Sequence, residues 1–398
     1  MGKMKISLRY LKERFLGQGR MDFLFFGAIM LLCVFGLVMV LSASYYTCYK
    51  NYGDGFHDFT RQAVCFVLGL VGMIVVSYVP YQLYRKPIVC GSIYAVTLGA
   101  MLIAAFFGTE VYGASRWIQI GGITVQPSEL AKFVLVIVMA AYITKNAKKI
   151  SRLKIVPLII VSILFGLFAL TILKQKNLSM IIILGAVFII MLIWGQFKWW
   201  NIGMVLLLAI AAVTLALWME PYRMERMLSF SNPWADPSDT GYQLIQSLFA
   251  IGSGGLFGKG LNFSRQKLLY LTFGENDFIF AIIAEELGFV GCLFLIALYA
   301  FVIYRGILIA IRCKEKFGTL VAGGFSIIVG LQAFVHMLIT VGALPTTGQT
   351  LPFISAGGTS LVIFMVMMGV VLNISRQDER FKKVRTKVES KIVPLERK

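Results

Sequence analysis

The sequence predicts an all-α polytopic membrane protein: about ten transmembrane helices, a long extracytoplasmic loop between helices 7 and 8, and a re-entrant segment between helices 9 and 10. Three observations predict it. Of 398 residues, 58% are hydrophobic and 14% charged, with a mean hydropathy of +0.80, which leaves too little polar surface to cover a soluble domain. The apolar residues fall into ten runs near the ~20 residues a helix needs to cross ~30 Å of hydrocarbon. The basic residues favour alternate ends of those runs: 27 of the 38 Lys and Arg lie in the two tails and the even-numbered connections, which the positive-inside rule makes cytoplasmic.

Residues 1–21 form a basic cytoplasmic tail. The first run, 22–43, follows Arg20 and Met21 directly, is too long for the apolar region of a signal peptide and lacks a small-residue cleavage site, so it reads as a signal anchor. Runs at 60–80, 86–107, 127–144, 154–173, 178–195 and 198–219 follow. After the loop 220–277 come runs at 277–304, 318–342 and 358–375, which close a single membrane domain, 22–375. Residues 376–398 form a second basic cytoplasmic tail. An even number of spans puts both termini in the cytoplasm.

The formal net charge of +19 is explained by these topology signals and by a basic tail lying against anionic lipid, without nucleic acid as a partner. Six cysteines stand far apart with no CxxC spacing, and there are two histidines. A zinc site of the usual His/Cys kind is therefore not expected, and no metal-ligand set is assigned.

Four polar segments interrupt the runs: 113–132, 174–179, 220–277 and 343–360. All face outside in this topology, the pattern of a site built by loops on a rigid helical scaffold. In the first, Pro127 suits the opening position of a helix, Glu129 meets the positive end of its dipole, and Glu129 and Lys132, at i and i+3, share a face and can pair. The structural reading is a helix start with Trp117 as an interfacial anchor. The functional one makes Arg116 and Lys132 anion contacts beside an aromatic wall, suited to a lipid pyrophosphate or a sugar.

The 58-residue loop 220–277 exceeds what a plain connection needs, and its aromatic content argues against disorder. It carries Arg223 and Arg226 near its start, and Arg265 and Lys267 near its end. Its GSGGLFGKG stretch (252–260) fits neither GxGxxG nor GxxxxGK[ST]. Those glycines read as tight turns and close backbone approach, with phosphate contact by Lys259 as the alternative.

Asp277 closes the loop. It reads either as the N-cap of the eighth span or as a general base for a sugar hydroxyl, roles that one residue can combine. Glu285 and Glu286 lie deeper, and at ~100° per residue they project about 80° and 180° around the axis from Asp277, so the three cannot line one site on a straight helix. At least one is expected to be a buried partner of a lysine or a backbone group. His336 reads as a packing residue rather than a proton relay. Ala343–Ser360 is too apolar for an exposed loop and too rich in Pro and Gly for a helix, which suggests a re-entrant floor to the site.

Together, GASRWIQIGGITVQPSELAK (113–132), ADPSDTGYQLIQSLFAIGSGG (235–255), NDFIFAIIAEELG (276–288) and LPTTGQTLPFISAGGTS (344–360) resemble the SEDS family of bacterial shape, elongation, division and sporulation proteins. The resemblance spans roughly 20–376 in matching order and spacing. SRQKLLYL (264–271) and GLVMVLSAS (36–44) are closer to its FtsW/SpoVE branch than to RodA. It implies a ten-helix fold in the bacterial cytoplasmic membrane, at the division septum, and polymerisation of lipid II into glycan on the outer face. Implied partners are the nascent glycan strand, a class B penicillin-binding protein that crosslinks it, and other divisome-type membrane proteins.

Residue by residue, the family's essential aspartate in "TDFIFA" falls on Asp277, its loop tryptophan on Trp117, and its QPSE glutamate and following lysine on Glu129 and Lys132. Three stretches depart from the family pattern: Leu271-Thr-Phe-Gly-Glu-Asn276 replaces Leu-Pro-Glu and a later Thr, Lys176-Asn-Leu-Ser-Met180 replaces Pro-Asp-x-Gly-Thr, and His336 replaces an asparagine. The implied chemistry is inverting glycosyl transfer. Asp277 takes the proton of an incoming 4-hydroxyl, and the pyrophosphate leaving group is met by a cationic clamp drawn from Arg116, Lys132, Arg223, Arg226, Arg265 and Lys267, with a divalent cation, Mg or Mn, as a candidate helper. Two other classes fit the same residues: a lipid II flippase with Lys132, Glu285 and Glu286 along its path, and a non-catalytic scaffold that activates the penicillin-binding partner.

Overall fold

The computed structural model describes residues 21–392 apart from 112–113, 121–122, 153–154, 219–229, 231 and 239–240. Its principal helices are α1 (Phe23–Tyr52), α2 (His57–Tyr78), α3 (Pro87–Phe107), α4 (Pro127–Lys145), α5 (Val156–Lys174), α6 (Leu178–Trp194), α7 (Trp199–Trp218), α8 (Tyr242–Gly254), α9 (Ile279–Arg312), α10 (Lys316–Thr340) and α11 (Gly358–Ile392). Among the described residues nine of these are long and apolar enough to cross a membrane. α6, at 17 residues, supplies the remaining expected span, and α8 is an extra helix inside the long loop. The last helix runs on to Ile392, so the start of the basic tail at 376 marks a change of chemistry and not of backbone conformation. The tail residues 1–20 and 393–398 lie outside the described residues.

Local chemistry sets the helix ends. Asp22 caps α1, its side chain accepting from Phe25 N at 3.0 Å, and left-handed Gly53 closes that helix. Proline opens α3 and α4, where its missing N–H leaves no helical bond unmade. The helical expectation gains one addition, a small antiparallel sheet of β1 (Thr109–Val111), β2 (Ala114–Ile120) and β3 (Ile123–Val125) in the order β1-β2-β3. The β-branched residues of 118–125 favour it.

α4 and α11 run through the middle of the bundle, with 78% of their apolar windows buried, whereas α7 lies at the rim with 11%. α1 and α9 are tied at two levels. At one end Arg305 pairs with Asp22 at 2.5 Å, and Asp22 N donates to Ser375 Oγ. At the other, Ser42 Oγ donates to the Glu286 carboxylate at 2.7 Å, and Lys267 pairs with the same carboxylate at 2.8 Å. Twenty residues of α1 separate Asp22 from Ser42, about 30 Å at 1.5 Å per residue, which matches the hydrocarbon core of a bilayer. Ionised groups are expected at those two edges, because charge is costly between them.

Candidate functional site

Asp277 stands just before α9, whose N-cap is Phe278, with no side-chain cap bond. The N-cap position itself is taken by Phe278, one residue after Asp277. Its backbone N donates to Phe273 O at 3.0 Å, closing a turn, and Phe273 adopts a left-handed φ of 57° to make it. The carboxylate faces the segment between α10 and α11: a Cβ built on Gly348 would lie 3.6 Å from Asp277 Oδ2.

That segment is latched to the residues flanking Asp277. Ala356 N donates to Glu275 O at 3.0 Å, and Ser355 Oγ donates to Asn276 O at 2.6 Å. It is irregular up to Gly358, and Leu351 to Ser355 are all buried. Its backbone carbonyls are met by side chains from the bundle: Gln332 on Thr350 O at 2.8 Å, His336 Nδ1 on Gln349 O at 2.8 Å, Gln62 on Ser355 O at 3.0 Å, and Tyr299 OH on Pro352 O. Buried backbone outside helices needs such partners.

The other polar segments join the same end of the bundle. Thr359 donates to Thr124 O at 3.0 Å, and Arg61 to the Thr124 hydroxyl. Gln349 Nε2 lies 3.5 Å from Asn177 Oδ1, at the turn between α5 and α6. Arg116 donates to the carbonyls of Gln175 at 3.0 Å and Lys176 at 2.6 Å, which ties the sheet to that turn. Trp117, on β2 opposite Thr109, is half-buried.

Of the four described cations expected to form a clamp, three, Arg116, Lys132 and Lys267, are engaged by other groups of the protein. Lys132 is fully buried, 2.7 Å from Glu129 Oε2 and 2.7 Å from Gln332 Oε1, with its ammonium over the Phe364 ring. The i,i+3 pairing is the role the geometry gives it. Through Gln332 that ion pair also braces Thr350, a connection between α4 and the irregular segment that sequence reading missed. Lys259 pairs with Glu285 at 2.6 Å and Lys267 with Glu286 at 2.8 Å. Arg265 is exposed, and among the described residues no hydrogen bond engages its guanidinium. Arg223 and Arg226 lie outside the described residues.

Both deep glutamates are ion-paired within the protein, where the expectation was of at least one. Gly288 (φ 67°, ψ −166°) breaks α9, which leaves Glu285 and Glu286 carbonyls and Phe289 and Val290 amides without helical partners. The GSGGLFGKG turn supplies them: Lys259 N and Gly260 N donate to the carbonyls, and Gly255 O and Leu256 O accept from the amides, all at 2.9–3.1 Å. A side chain on Gly254 or Gly258 would collide with the backbone of Ala284 or Glu286, so close approach is what those glycines provide. The Glu285 carboxylate then accepts from Ser264 Oγ at 2.5 Å and Arg265 N at 3.1 Å.

His336 is half satisfied: Nδ1 meets Gln349 O, while Nε2 is buried with no partner among the described residues. Glu275 also escaped the sequence reading. Burial holds its carboxyl above the ordinary 4.5, and the negative charge of Asp58 adds to the shift. Among the described residues no three His, Cys, Asp or Glu side chains gather as metal ligands would.

Comparison with known proteins places this architecture. Residues 22–380 match the FTSW_RODA_SPOVE family model, described as cell cycle protein. A probable peptidoglycan glycosyltransferase FtsW of Geobacter sp. (strain M18) is 37% identical over 353 residues, covering 87% of this chain and 94% of that one. The counterpart in Coxiella burnetii is 36% identical over 356 residues, with 87% and 94% covered. Among solved structures, a chain from work on structural coordination of polymerization and crosslinking by a peptidoglycan synthase complex aligns with TM-score 0.73 and 26% identity, over 90% of this chain and 98% of that one. The Thermus thermophilus Rod shape determining protein RodA aligns with TM-score 0.66 and 23% identity, over 89% and 97%, a likeness of fold.

Proposed function

The chain belongs to the FtsW/RodA/SpoVE family of cell cycle proteins, and on that footing we propose that it is a peptidoglycan glycosyltransferase that polymerises lipid II, with Asp277 as general base. The observation that carries the residue assignment is the seat of Asp277. Its carboxylate faces a glycine, and the residues before it are fastened to the 344–360 segment. A base held this way keeps its orientation while substrate approaches, which is what proton transfer in a transition state requires.

In the reaction, Asp277 accepts the proton of the acceptor sugar 4-hydroxyl. The freed oxygen forms a bond to the anomeric carbon of the lipid-linked donor, and the bond from that carbon to the pyrophosphate oxygen breaks with inversion. Arg265 is the exposed cation available to the departing charge, with Arg223 and Arg226 as further candidates. No step is routed through a divalent cation, because the described residues offer no ligand set for one.

The 344–360 segment fits a re-entrant floor. Phe353 lies against Gly36, six residues along α1 from Ser42 and so about 9 Å below the Glu286 level. The basic residues Arg305 and Arg376 at the Asp22 end support a cytoplasmic position for both termini, and septal placement beside a crosslinking penicillin-binding protein and other division proteins completes the reading. A flippase would need mobile charge along a path, yet Lys132, Glu285 and Glu286 are each neutralised in an ion pair. Purified protein carrying Asp277→Asn should make no glycan from lipid II while unfolding like the wild type. Polymerisation that survives the substitution overturns the assignment, and wild-type protein that makes no glycan either alone or with the crosslinking partner would favour an activating scaffold.

A further inference from the structure

The turn that repairs the break in α9 has a second face. Leu256, Phe257, Leu261 and Phe263 are 64%, 80%, 51% and 72% exposed, a cluster of large apolar side chains too concentrated for a surface that meets only water. Its depth follows from the ion-pair levels. Lys259 N and Gly260 N bond to the carbonyls of Glu285 and Glu286, which puts them at the level where Ser42, Lys267 and Glu286 mark one edge of the hydrocarbon. Gly255 and Leu256 bond instead to Phe289 and Val290, three to four residues farther toward Arg305 and so inside that edge. The exposed tip of the turn thus lies on the hydrocarbon side of the boundary, and the exposed Arg265 and the partly exposed Lys259 lie at or above it.

We propose that Gly255–Phe263 is a lipid-binding wedge, with Leu256 and Phe257 inserted among the acyl chains of the leaflet at the Glu286 end of the bundle, and Lys259 and Arg265 at the level of its headgroup phosphates. Apolar side chains below and cations above is the arrangement by which interfacial elements bind anionic bilayers. The Lys259–Glu285 and Lys267–Glu286 pairs hold the wedge rigid against α9, so insertion costs little additional ordering. The inference stands on the spanning topology alone and is independent of the reaction assigned to Asp277.

The test is depth. Single-cysteine variants Phe257→Cys and Phe263→Cys, in a full-length chain with its native cysteines replaced, are nitroxide-labelled and reconstituted into phosphatidylcholine/phosphatidylglycerol vesicles without any partner protein. Both side chains are exposed, so their removal leaves no cavity. Oxygen collisions should exceed those with a water-soluble nickel chelate at Phe257, as at Leu207→Cys on the rim helix α7. The order should reverse at Tyr52→Cys, at the end of α1. A Phe257 label that reports like Tyr52 overturns the proposal, and so does one shielded from both reagents, the signature of a protein contact. Phe257→Trp with the native cysteines intact gives an independent reading: its added emission should be quenched by acyl-brominated lipid. Quenching by aqueous iodide instead counts against insertion.

Discussion

Lys267 Nζ lies 2.8 Å from Glu286 Oε1, with side chains 3% and 0% exposed, and Ser42 on α1 bonds to both. This pair joins the long loop to two helices at the edge of the hydrocarbon. Removing one partner leaves an uncompensated buried charge, so Lys267→Met should cost about 3–5 kcal/mol. The double variant K267M/E286M restores neutrality and should recover most of the loss. Thermal unfolding midpoints in detergent check both, and a double variant as unstable as the single one refutes the charge argument.

Gly288 should accept no side chain. Its φ of 67° is strained for any other residue, and a Cβ there would strike the backbone of Gly258 and Leu256. Gly288→Ala is expected to destabilise by more than about 2 kcal/mol. Gly27→Ala, on α1 with nothing within 4 Å of the added carbon, should be close to neutral or mildly stabilising. Folding yield and unfolding midpoint of the two variants, measured side by side, decide the matter.

That break in α9 also explains what the sequence concealed. The spans were legible because length and apolarity are local properties, and Asp277 was legible because its surrounding motif is. The partners of Lys259 and Lys267 were not. A straight helix would turn Glu285 and Glu286 to different sides with no indication of what meets them, and only the backbone exchange around Gly288 brings both lysines onto adjacent carboxylates. Gln332 gave no signal either, since an amide inside an apolar run reveals nothing of the buried Lys132 and Thr350 that it joins. In the β2–β3 stretch the signal was present, in Ile118, Ile120, Ile123 and Val125 around Gly121-Gly122, but a helix start with Trp117 as an interfacial anchor accounts for the segment without drawing on that alternation.

Glu275 should make stability depend on pH. Its folded carboxyl titrates above the ordinary 4.5, chiefly because of burial and then because of Asp58. The favourable form is therefore protonated: its contribution is complete below 4.5 and is lost as pH rises through the raised folded value. Glu275→Gln cannot ionise, so its unfolding midpoint should fall less than that of the wild type between pH 4.5 and neutrality. Parallel curves would remove Glu275 from the account.

Gly348 offers a way to perturb Asp277 without touching it. A Cβ at this position would lie 3.6 Å from Asp277 Oδ2 and 4.0 Å from Oδ1, ordinary contact distances, and no left-handed φ bars a side chain. Gly348→Ala should therefore fold normally. The methyl group, however, crowds the carboxylate and limits its solvation, which disfavours its ionised form. A general base works only when ionised, so the acidic limb of the pH–rate profile for glycan formation should move to higher pH. Activity should drop severalfold below the limb and return to the wild-type level above it. If Asp277 merely shapes the loop, the same substitution lowers activity equally at every pH or leaves it unchanged, and either result counts against the base assignment.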